Sequence, residues 1–311
     1  MKSIIITGAT SGIGFECAFQ MAKIAPNEQI ILACRNIQAG NKIIQKIKDK
    51  TNHQHLLCLP LDLGSLQSIR EFKEKFSKLS NPVVTSLINN AGLQNIGKTA
   101  YTEDGFETTF GTNHLGGFFL TLLLLPFLEQ NGSITFTASD THDPATKTGI
   151  EPPAYTSGKD LAFPKDTNEK ENTVGQRRYS TSKLCNVLSG YLLQEKLAET
   201  NIRVNAFDPG MVPGTGLART YPPLLRFVWN NVMPVLTYFK PNTNCAKKSG
   251  KRLTNLAFGN ELKQLSGIYY SDGKVTKSSI DSYNKLYQAD LWKSSIELTK
   301  VKQDETTIQL T

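Results

Sequence analysis

The sequence predicts an α/β fold of the Rossmann type, in which helices cover both faces of a doubly wound parallel sheet of about seven strands. Short apolar runs with β-branched residues alternate with helical patterns from the first residue to beyond residue 200. Such runs are typical of parallel strands that are buried on both faces. A glycine-rich turn follows the first of them, where sheets of this kind bind phosphate. Residues 1–311 are predicted to form a single domain, because no repeat or linker divides the chain.

The predicted strands are spaced so that one helix fits between each strand and the next, as right-handed crossovers require. These strands are Ile4–Thr7, Gln29–Ala33, His55–Pro60, Thr85–Asn89, Ser133–Thr137 and Ile202–Asp208, with a shorter one at Gly267–Tyr270. The predicted helices lie near residues 12–25, 36–50, 65–78, 103–129, 179–200, 244–257 and 280–298.

Two segments interrupt this alternation. The segment near residues 141–178 is polar and is predicted to be a long insertion. Loops of this length are commonly functional or disordered. The segment near residues 211–243 is apolar between residues 221 and 239. That composition is compatible with core helices and equally with an apolar cover over a bound substrate.

Composition indicates a globular protein without a nucleic-acid partner. The hydrophobic fraction is 39%, the mean hydropathy is −0.29 and the formal net charge is +8. Lysine and arginine are scattered among acidic residues and form no basic stripe with interleaved aromatic residues. We attribute the excess positive charge to a solvated surface and to attraction of an anionic cofactor.

Cysteine usage and hydropathy favour a cytoplasmic protein. The five cysteines show no Cys-x-x-Cys spacing, so we expect reduced thiols with neither a disulfide framework nor a metal site. The longest apolar run, Phe118–Leu128, is about half the length of a membrane span. The first strand begins so early that no room for a targeting segment is expected before it.

The glycine-rich turn predicts a phosphate site at the start of the first helix. Gly8 permits a tight turn, Gly12 allows close approach of a pyrophosphate, and Gly14 allows close packing of the helix. The unpaired amides of the first helical turn attract an anion. A plain structural turn is the alternative. The further predicted contacts in this turn are Thr10, Ser11 and Ile13.

Polar and small residues follow the next three strands. Arg35 stands where an acid would bind the adenosine ribose, and its planar cation favours the 2′-phosphate of NADP(H) over NAD(H). Asp62 offers a bond to the adenine amino group, although it is also a candidate cap for the helix near Ser65. The remaining predicted cofactor contacts at these strand ends are Asn36, Leu63, Asn89, Ala91 and Gly92.

The proton chemistry is predicted to lie on the helix after the fifth strand. Tyr179 and Lys183 are four residues apart, so they share one helix face. A lysine cation beside a tyrosine lowers the pKa of the phenol, which otherwise is about 10. Ser139 ends the fifth strand and offers a hydroxyl to the same substrate oxygen. Asn113 is a poor residue for a helix interior, which favours a buried role in holding a water.

Together these residues resemble the short-chain dehydrogenase/reductase family over nearly the whole chain. The motifs occur in the family's order: the glycine turn, Asn89-Asn90-Ala91-Gly92, Asn113, Ser139, Tyr179 with Lys183, and Pro209-Gly210. The resemblance implies hydride transfer between NAD(P)H and a carbonyl or alcohol. It implies Tyr179 as acid/base and Lys183 as the residue that binds the nicotinamide ribose. Ser139 would orient the substrate oxygen, Asn113 would hold a proton-relay water, and Thr215 would contact the nicotinamide carboxamide.

Within the family the chain is most similar to the branch of retinol dehydrogenases and light-dependent protochlorophyllide reductases. Segments that carry this similarity include Ala33-Cys34-Arg35-Asn36, Gly111-Thr112-Asn113-His114-Leu115-Gly116 and Ser182-Lys183-Leu184-Cys185-Asn186. We therefore expect an NADP(H)-dependent reductase or dehydrogenase of a small apolar carbonyl or alcohol, as a homodimer or monomer. A light-dependent reductase of a carbon–carbon double bond and a non-catalytic dinucleotide-binding regulator are the alternatives.

Overall fold

A computed structural model describes residues 1–238 and 242–310 of the chain. Within these residues eight strands form one sheet with the order β3-β2-β1-β4-β5-β6-β7-β8, in which β8 alone is antiparallel to its neighbour. The strands are β1 Ser3–Thr7, β2 Gln29–Cys34, β3 Leu56–Pro60, β4 Val84–Asn89, β5 Leu128–Thr137, β6 Arg203–Asp208, β7 Tyr269–Ser271 and β8 Lys274–Thr276. The predicted Rossmann-type α/β fold is confirmed.

Helices connect the parallel strands and cover both faces of the sheet. The helices are α1 Gly12–Ile24, α2 Ile37–Thr51, α3 Leu66–Ser77, α4 Thr108–Phe110, α5 Gly116–Leu124, α6 Gly158–Ala162, α7 Glu171–Lys196, α8 Pro223–Phe227, α9 Ala246–Phe258 and α10 Lys285–Thr299. A π-helical turn, Gly111–Leu115, joins α4 to α5.

The alternation of side chains along β1 explains why both sheet faces are apolar. Ile5 belongs to one buried cluster with Phe72 of α3 and Phe119 of α5. Ile4 and Ile6 point to the opposite face, where α1 and α9 pack against each other and against the sheet. Because each strand needs apolar residues for both faces, its sequence is continuously apolar instead of alternating.

The eighth strand was not predicted from the sequence. β7 and β8 form a hairpin whose two turn residues, Asp272 and Gly273, have φ angles of +48° and +82°. Asp-Gly is a strong signal for such a turn, since both positions need a left-handed backbone. The hairpin extends the parallel sheet by one antiparallel edge strand.

Two predicted helices differ in their limits. The helix predicted near 103–129 begins only at Thr108 and is interrupted by the π-helical turn. The helix expected near 179–200 begins at Glu171, inside the predicted insertion 141–178. Its first eight residues are mostly polar and only partly buried, so apolar periodicity did not reveal them.

One helical stretch, Thr108–Phe127, is long and apolar enough to cross a membrane, and 83% of its apolar window is buried inside the protein. Its α5 portion packs against α3, as expected for a core helix of this fold.

Residues 223–232, within the apolar segment near 211–243, do not form core helices. No residue of α8 or of the π-helical turn Val228–Val232 after it is buried. Leu224 is 74% exposed and Phe227 is 59% exposed. The interpretation as core helices is therefore wrong for these residues, while residues 239–241 lie outside the described part of the chain.

Candidate active site

One cavity opens at the carboxyl ends of the parallel strands, where the strand order reverses between β1 and β4. Ligands of open α/β sheets bind at such switch points. The cavity brings together these predicted site residues: Gly8, Thr10, Ser11, Gly12, Ile13, Gly14, Arg35, Asn36, Asp62, Leu63, Ala91, Gly92, Ser139, Tyr179, Lys183, Pro209, Gly210 and Thr215.

Two predicted residues, Asn89 and Asn113, do not line the cavity. Asn89 is buried beneath it, where its Nδ2 donates to Thr121 Oγ1 at 2.9 Å. Asn90 lines the cavity instead and anchors the loop by donating from Nδ2 to the Thr7 carbonyl at 2.9 Å. Adjacent residues at the end of a strand point in opposite directions, so the sequence motif alone did not separate the two asparagines.

The glycine turn packs closely against other segments of the chain and within itself. Gly8 and Gly12 have φ angles of +66° and +57°, which glycine adopts at little cost. A Cβ at Gly8 would lie 2.9 Å from the Ala91 Cα, and one at Gly12 would lie 3.2 Å from the Thr215 Cγ2. A Cβ at Gly14 would lie 2.5 Å from both the Gly8 carbonyl oxygen and Asn90 Nδ2, so this glycine permits the turn and the close packing of α1 against the end of β4.

The start of α1 presents backbone amides to the cavity. Ser11 is its N-cap residue and makes no side-chain capping hydrogen bond, while the residues after it line the cavity. The first amides of a helix carry the positive end of its dipole. This geometry suits a phosphate group.

The end of the cavity at β2 and β3 is charged and exposed. The side chains of Arg35 and Asp62 are 59% and 44% exposed, with 4.0 Å between Arg35 Nη1 and Asp62 Oδ2. Asp62 accepts from the Gly64 backbone N at 2.9 Å and does not cap α3, because Ser65 is the cap. Asn36 does cap α2 through its Oδ1, in addition to lining the cavity.

The opposite end of the cavity holds Tyr179 and Lys183, which are 6% and 4% exposed. Lys183 Nζ lies 5.6 Å from the centre of the Tyr179 ring and donates to the Thr137 carbonyl at 3.0 Å. Burial, and then the charge of Asp140, raise the pKa of Tyr179. Burial lowers the pKa of Lys183 to about 8. In the protein alone, burial therefore outweighs the lowering of the tyrosine pKa that the Tyr-x-x-x-Lys spacing predicts.

Asn113 connects the π-helical turn to Leu93 and Ser182 through hydrogen bonds of its side chain. Its Oδ1 accepts from the Leu93 backbone N at 2.8 Å, and its Nδ2 donates to the Leu93 carbonyl at 2.8 Å and to Ser182 Oγ at 3.0 Å. Such π-helical turns are frequent at functional sites. The water-holding role of Asn113 stays a prediction.

Sequence reasoning missed a polar cluster beside Ser139, formed by Asp140, Asp208 and Asn242. Asn242 donates to both carboxylates. The available signal was the position of the two acids at the carboxyl ends of β5 and β6, although only the fold shows that these strands are neighbours.

Comparison with known proteins assigns the family. The family described as short chain dehydrogenase matches residues 2–161. Retinol dehydrogenase 12 of Mus musculus is 33% identical over 307 residues, which cover 97% of this chain and 87% of that protein. Polyprenol dehydrogenase of Danio rerio is 30% identical over 314 residues, with 97% and 87% covered.

Among solved structures, an uncharacterized protein of Mycobacterium paratuberculosis superposes with a TM-score of 0.69 at 27% identity, covering 97% of this chain and 94% of that one. The chain belongs to the short-chain dehydrogenase family. Its place is in the retinol dehydrogenase-like branch, and it is an oxidoreductase.

Proposed function

We propose that this protein is an NADP(H)-dependent oxidoreductase that transfers hydride between the nicotinamide and a carbonyl or alcohol group of an apolar substrate. The observation that carries the proposal is the continuous cavity. It joins an exposed arginine, a glycine turn at a helix start, and a buried Ser139–Tyr179–Lys183 group.

The cavity fits a dinucleotide in both shape and charge. Gly8 and Gly12 form a turn with positive φ angles in which a Cβ would press against Ala91 and Thr215, and the start of α1 suits a pyrophosphate. Arg35 would hold a 2′-phosphate, Lys183 a ribose, and Thr215 a carboxamide in the loop after Pro209-Gly210. When bound, the cofactor supplies hydride to the carbonyl carbon or accepts it from the alcohol carbon.

Tyr179 would move the proton that balances the hydride. In reduction its phenol donates to the carbonyl oxygen as that oxygen becomes an alkoxide. An alkoxide is a stronger base than a phenolate, so the proton moves toward the substrate even though burial raises the pKa of Tyr179. Ser139 supplies a second hydroxyl at the same oxygen, and a charged Lys183 stabilises the phenolate that remains.

The substrate class follows from the segment beyond the nicotinamide end. Val212 and Leu217 line the cavity there. The exposed apolar residues of α8 and of the π-helical turn Val228–Val232 together form the α8 region. This region is connected to the loop that contains Thr215, because Trp229 Nε1 donates to the Thr215 carbonyl at 3.1 Å. We infer that this region covers an apolar substrate. The names of the relatives, retinol and polyprenol dehydrogenase, state apolar alcohols and support that class.

Replacement of the phenol tests this function. We expect Tyr179→Phe to lower kcat for NADPH-dependent reduction of retinaldehyde about 10²- to 10⁴-fold, the usual contribution of a general acid. The Kd for NADPH, measured by nucleotide fluorescence, should stay nearly unchanged.

Tyr191→Phe is the matched control. This tyrosine is also buried on α7, but its hydroxyl lies within hydrogen-bond distance of Ser278 Oγ, and it does not line the cavity. Turnover of Tyr179→Phe close to that of this control would contradict the proposed chemistry. Nucleotide binding by a wild-type protein that reduces no carbonyl would favour the regulator instead.

A further inference from the structure

The buried polar cluster behind Ser139 is not used by the proposed mechanism. Asp140 follows Ser139 just after β5, and Asp208 ends the neighbouring strand β6. Asn242 Nδ2 lies 2.9 Å from Asp140 Oδ2 and 3.2 Å from Asp208 Oδ2, and it donates to both. One amide group thus bridges two acidic side chains beside the candidate proton donors.

The two carboxyl groups differ in the donors that stabilise their charge. Asp208 is 1% exposed and also accepts from the Gly210 backbone N at 2.8 Å and from Ser271 Oγ at 2.6 Å. The further donors to Asp140 are the Ser139 hydroxyl, at 3.2 Å, and a backbone amide. Asp208 is therefore the better stabilised anion, and a proton taken up by the pair resides on Asp140. Burial and the charge of Asp208 raise the pKa of Asp140 to about 6.

The histidine beside Asp140 does not compete for this proton. His142 Nδ1 lies 2.6 Å from the Ser139 carbonyl oxygen, and its Nε2 accepts from the Ser279 backbone N at 3.0 Å. This pattern requires a neutral imidazole that donates from Nδ1. Burial lowers the pKa of His142, which keeps the ring neutral.

Among the residues that the structure describes, the other titratable groups around the cluster are two phenols and one amine. Burial raises the pKa values of Tyr179 and Tyr269, so both stay protonated near neutral pH. Lys183 donates to the Thr137 carbonyl. Asp140 is thus the group of the cluster that titrates below neutral pH within hydrogen-bond reach of Ser139.

The hydrogen-bond capacity of Ser139 links this titration to the substrate oxygen. A serine hydroxyl has one proton to donate and two lone pairs to accept with. The Thr141 backbone N donates to one lone pair at 3.3 Å. When Asp140 is ionised, the Ser139 proton is donated to its Oδ1. When Asp140 is protonated, its O–H donates to the second lone pair, and the Ser139 proton is free for the substrate.

We propose that Asp140 is a positioning residue that directs the Ser139 hydroxyl, releasing it toward the substrate oxygen when the carboxyl is protonated and withdrawing it when the carboxyl ionises. The inference rests on the proposed function, because it assigns a direction to the second hydroxyl in carbonyl reduction. It also makes reduction pH-dependent: the rate falls as the pH rises through the titration of Asp140. Asp140→Asn keeps a donor toward Ser139 at every pH, since the amide Nδ2 replaces the acid proton while its oxygen still accepts from Asn242.

The kinetic test follows kcat/KM for NADPH-dependent reduction of retinaldehyde from about pH 5 to about pH 7, below the pKa of Lys183. Wild type should lose about tenfold across this range, the value of one hydrogen bond to a developing charge. Asp140→Asn should lack this decrease of kcat/KM with rising pH. Ser139→Ala should have a low kcat/KM at every pH. Asp143→Asn is the control, because this acid in the same loop caps the Ala145 amide and does not contact Ser139. A decrease of kcat/KM with rising pH that persists in Asp140→Asn overturns the proposal.

A titration that needs no turnover separates this inference from the proposed function. The ¹³C carboxyl resonance of Asp140, identified by its loss in Asp140→Asn, should titrate well above the usual aspartate pKa of about 3.9. Ser139→Ala should raise this midpoint further, because it removes a donor to the ionised carboxyl. An ordinary midpoint, or one that Ser139→Ala leaves unchanged, overturns the positioning role even if Tyr179→Phe confirms the proposed chemistry.

Discussion

The ionisable side chains at the two ends of the cavity differ in their exposure to water. At the proposed adenosine end, the Arg35 side chain is 59% exposed, and its Nη1 lies 4.0 Å from Oδ2 of Asp62, which is 44% exposed. At the nicotinamide end, Tyr179 and Lys183 are at most 6% exposed. Water screens the first pair, whereas burial raises the pKa of Tyr179 and lowers that of Lys183. We therefore propose that the first end discriminates between nucleotide ligands and that the second tunes proton transfer.

The largest effect that would sharpen this comparison concerns the charge of Lys183. The folded protein gives up the lysine proton at a pKa of about 8, and the unfolded chain at about 10.5. Between these values the unfolded state binds more protons, so stability rises with pH. The free energy of unfolding of wild type, relative to Lys183→Met, should rise by about 3 kcal/mol from pH 8 to pH 10.5 without nucleotide.

Urea unfolding at several pH values measures this difference. Lys42→Met, an exposed lysine of α2, is the control and should give a difference that does not change with pH. If the free energies of unfolding of the Lys183 and Lys42 variants depend on pH in the same way, burial does not shift the pKa of Lys183. The contrast between the two ends of the cavity is then refuted.

A smaller effect is expected at the exposed end. Arg35→Ser should weaken NADPH binding by about 10- to 100-fold, because one charge-assisted hydrogen-bond pair to a phosphate is lost. NADH binding should stay nearly unchanged, and added salt should narrow the difference. Fluorescence titration with both nucleotides is the measurement, and Lys42→Ser removes the same charge from α2 as a control. Equal losses for NADPH and NADH would refute the preference for NADP(H).

The smallest effect concerns a hydrogen bond next to the apolar α8 region, which we propose covers the substrate. Tyr221 OH donates to Gln94 Oε1 at 2.6 Å. Tyr221→Phe should raise KM for retinaldehyde about fivefold with kcat nearly unchanged, since one hydrogen bond contributes about 1 kcal/mol. Tyr101→Phe, at a tyrosine that is 52% exposed, is the control. A changed kcat with an unchanged KM would argue against a covering role.

Much of the site was predictable because its signals are local. The glycine turn must follow a strand and precede a helix, so Gly8, Gly12 and Gly14 could be placed from their neighbours in sequence. Tyr179 and Lys183 could be paired because a helix brings positions four apart to one face. The Asp-Gly turn before β8 was equally local but was overlooked.

The sequence by itself therefore determined seven of the eight described strands, most of the long helices and the residues that flank the turns, since apolar periodicity and turn chemistry act over a few residues. Only the tertiary structure decided what depends on distant neighbours. It determined that the pKa of Tyr179 is raised and that of Lys183 is lowered. It also determined that Asn89 is buried beneath the cavity and that the α8 region is exposed. It also joined Asp140, Asp208 and Asn242, since desolvation and long-range hydrogen bonds arise only when separate strands pack side by side.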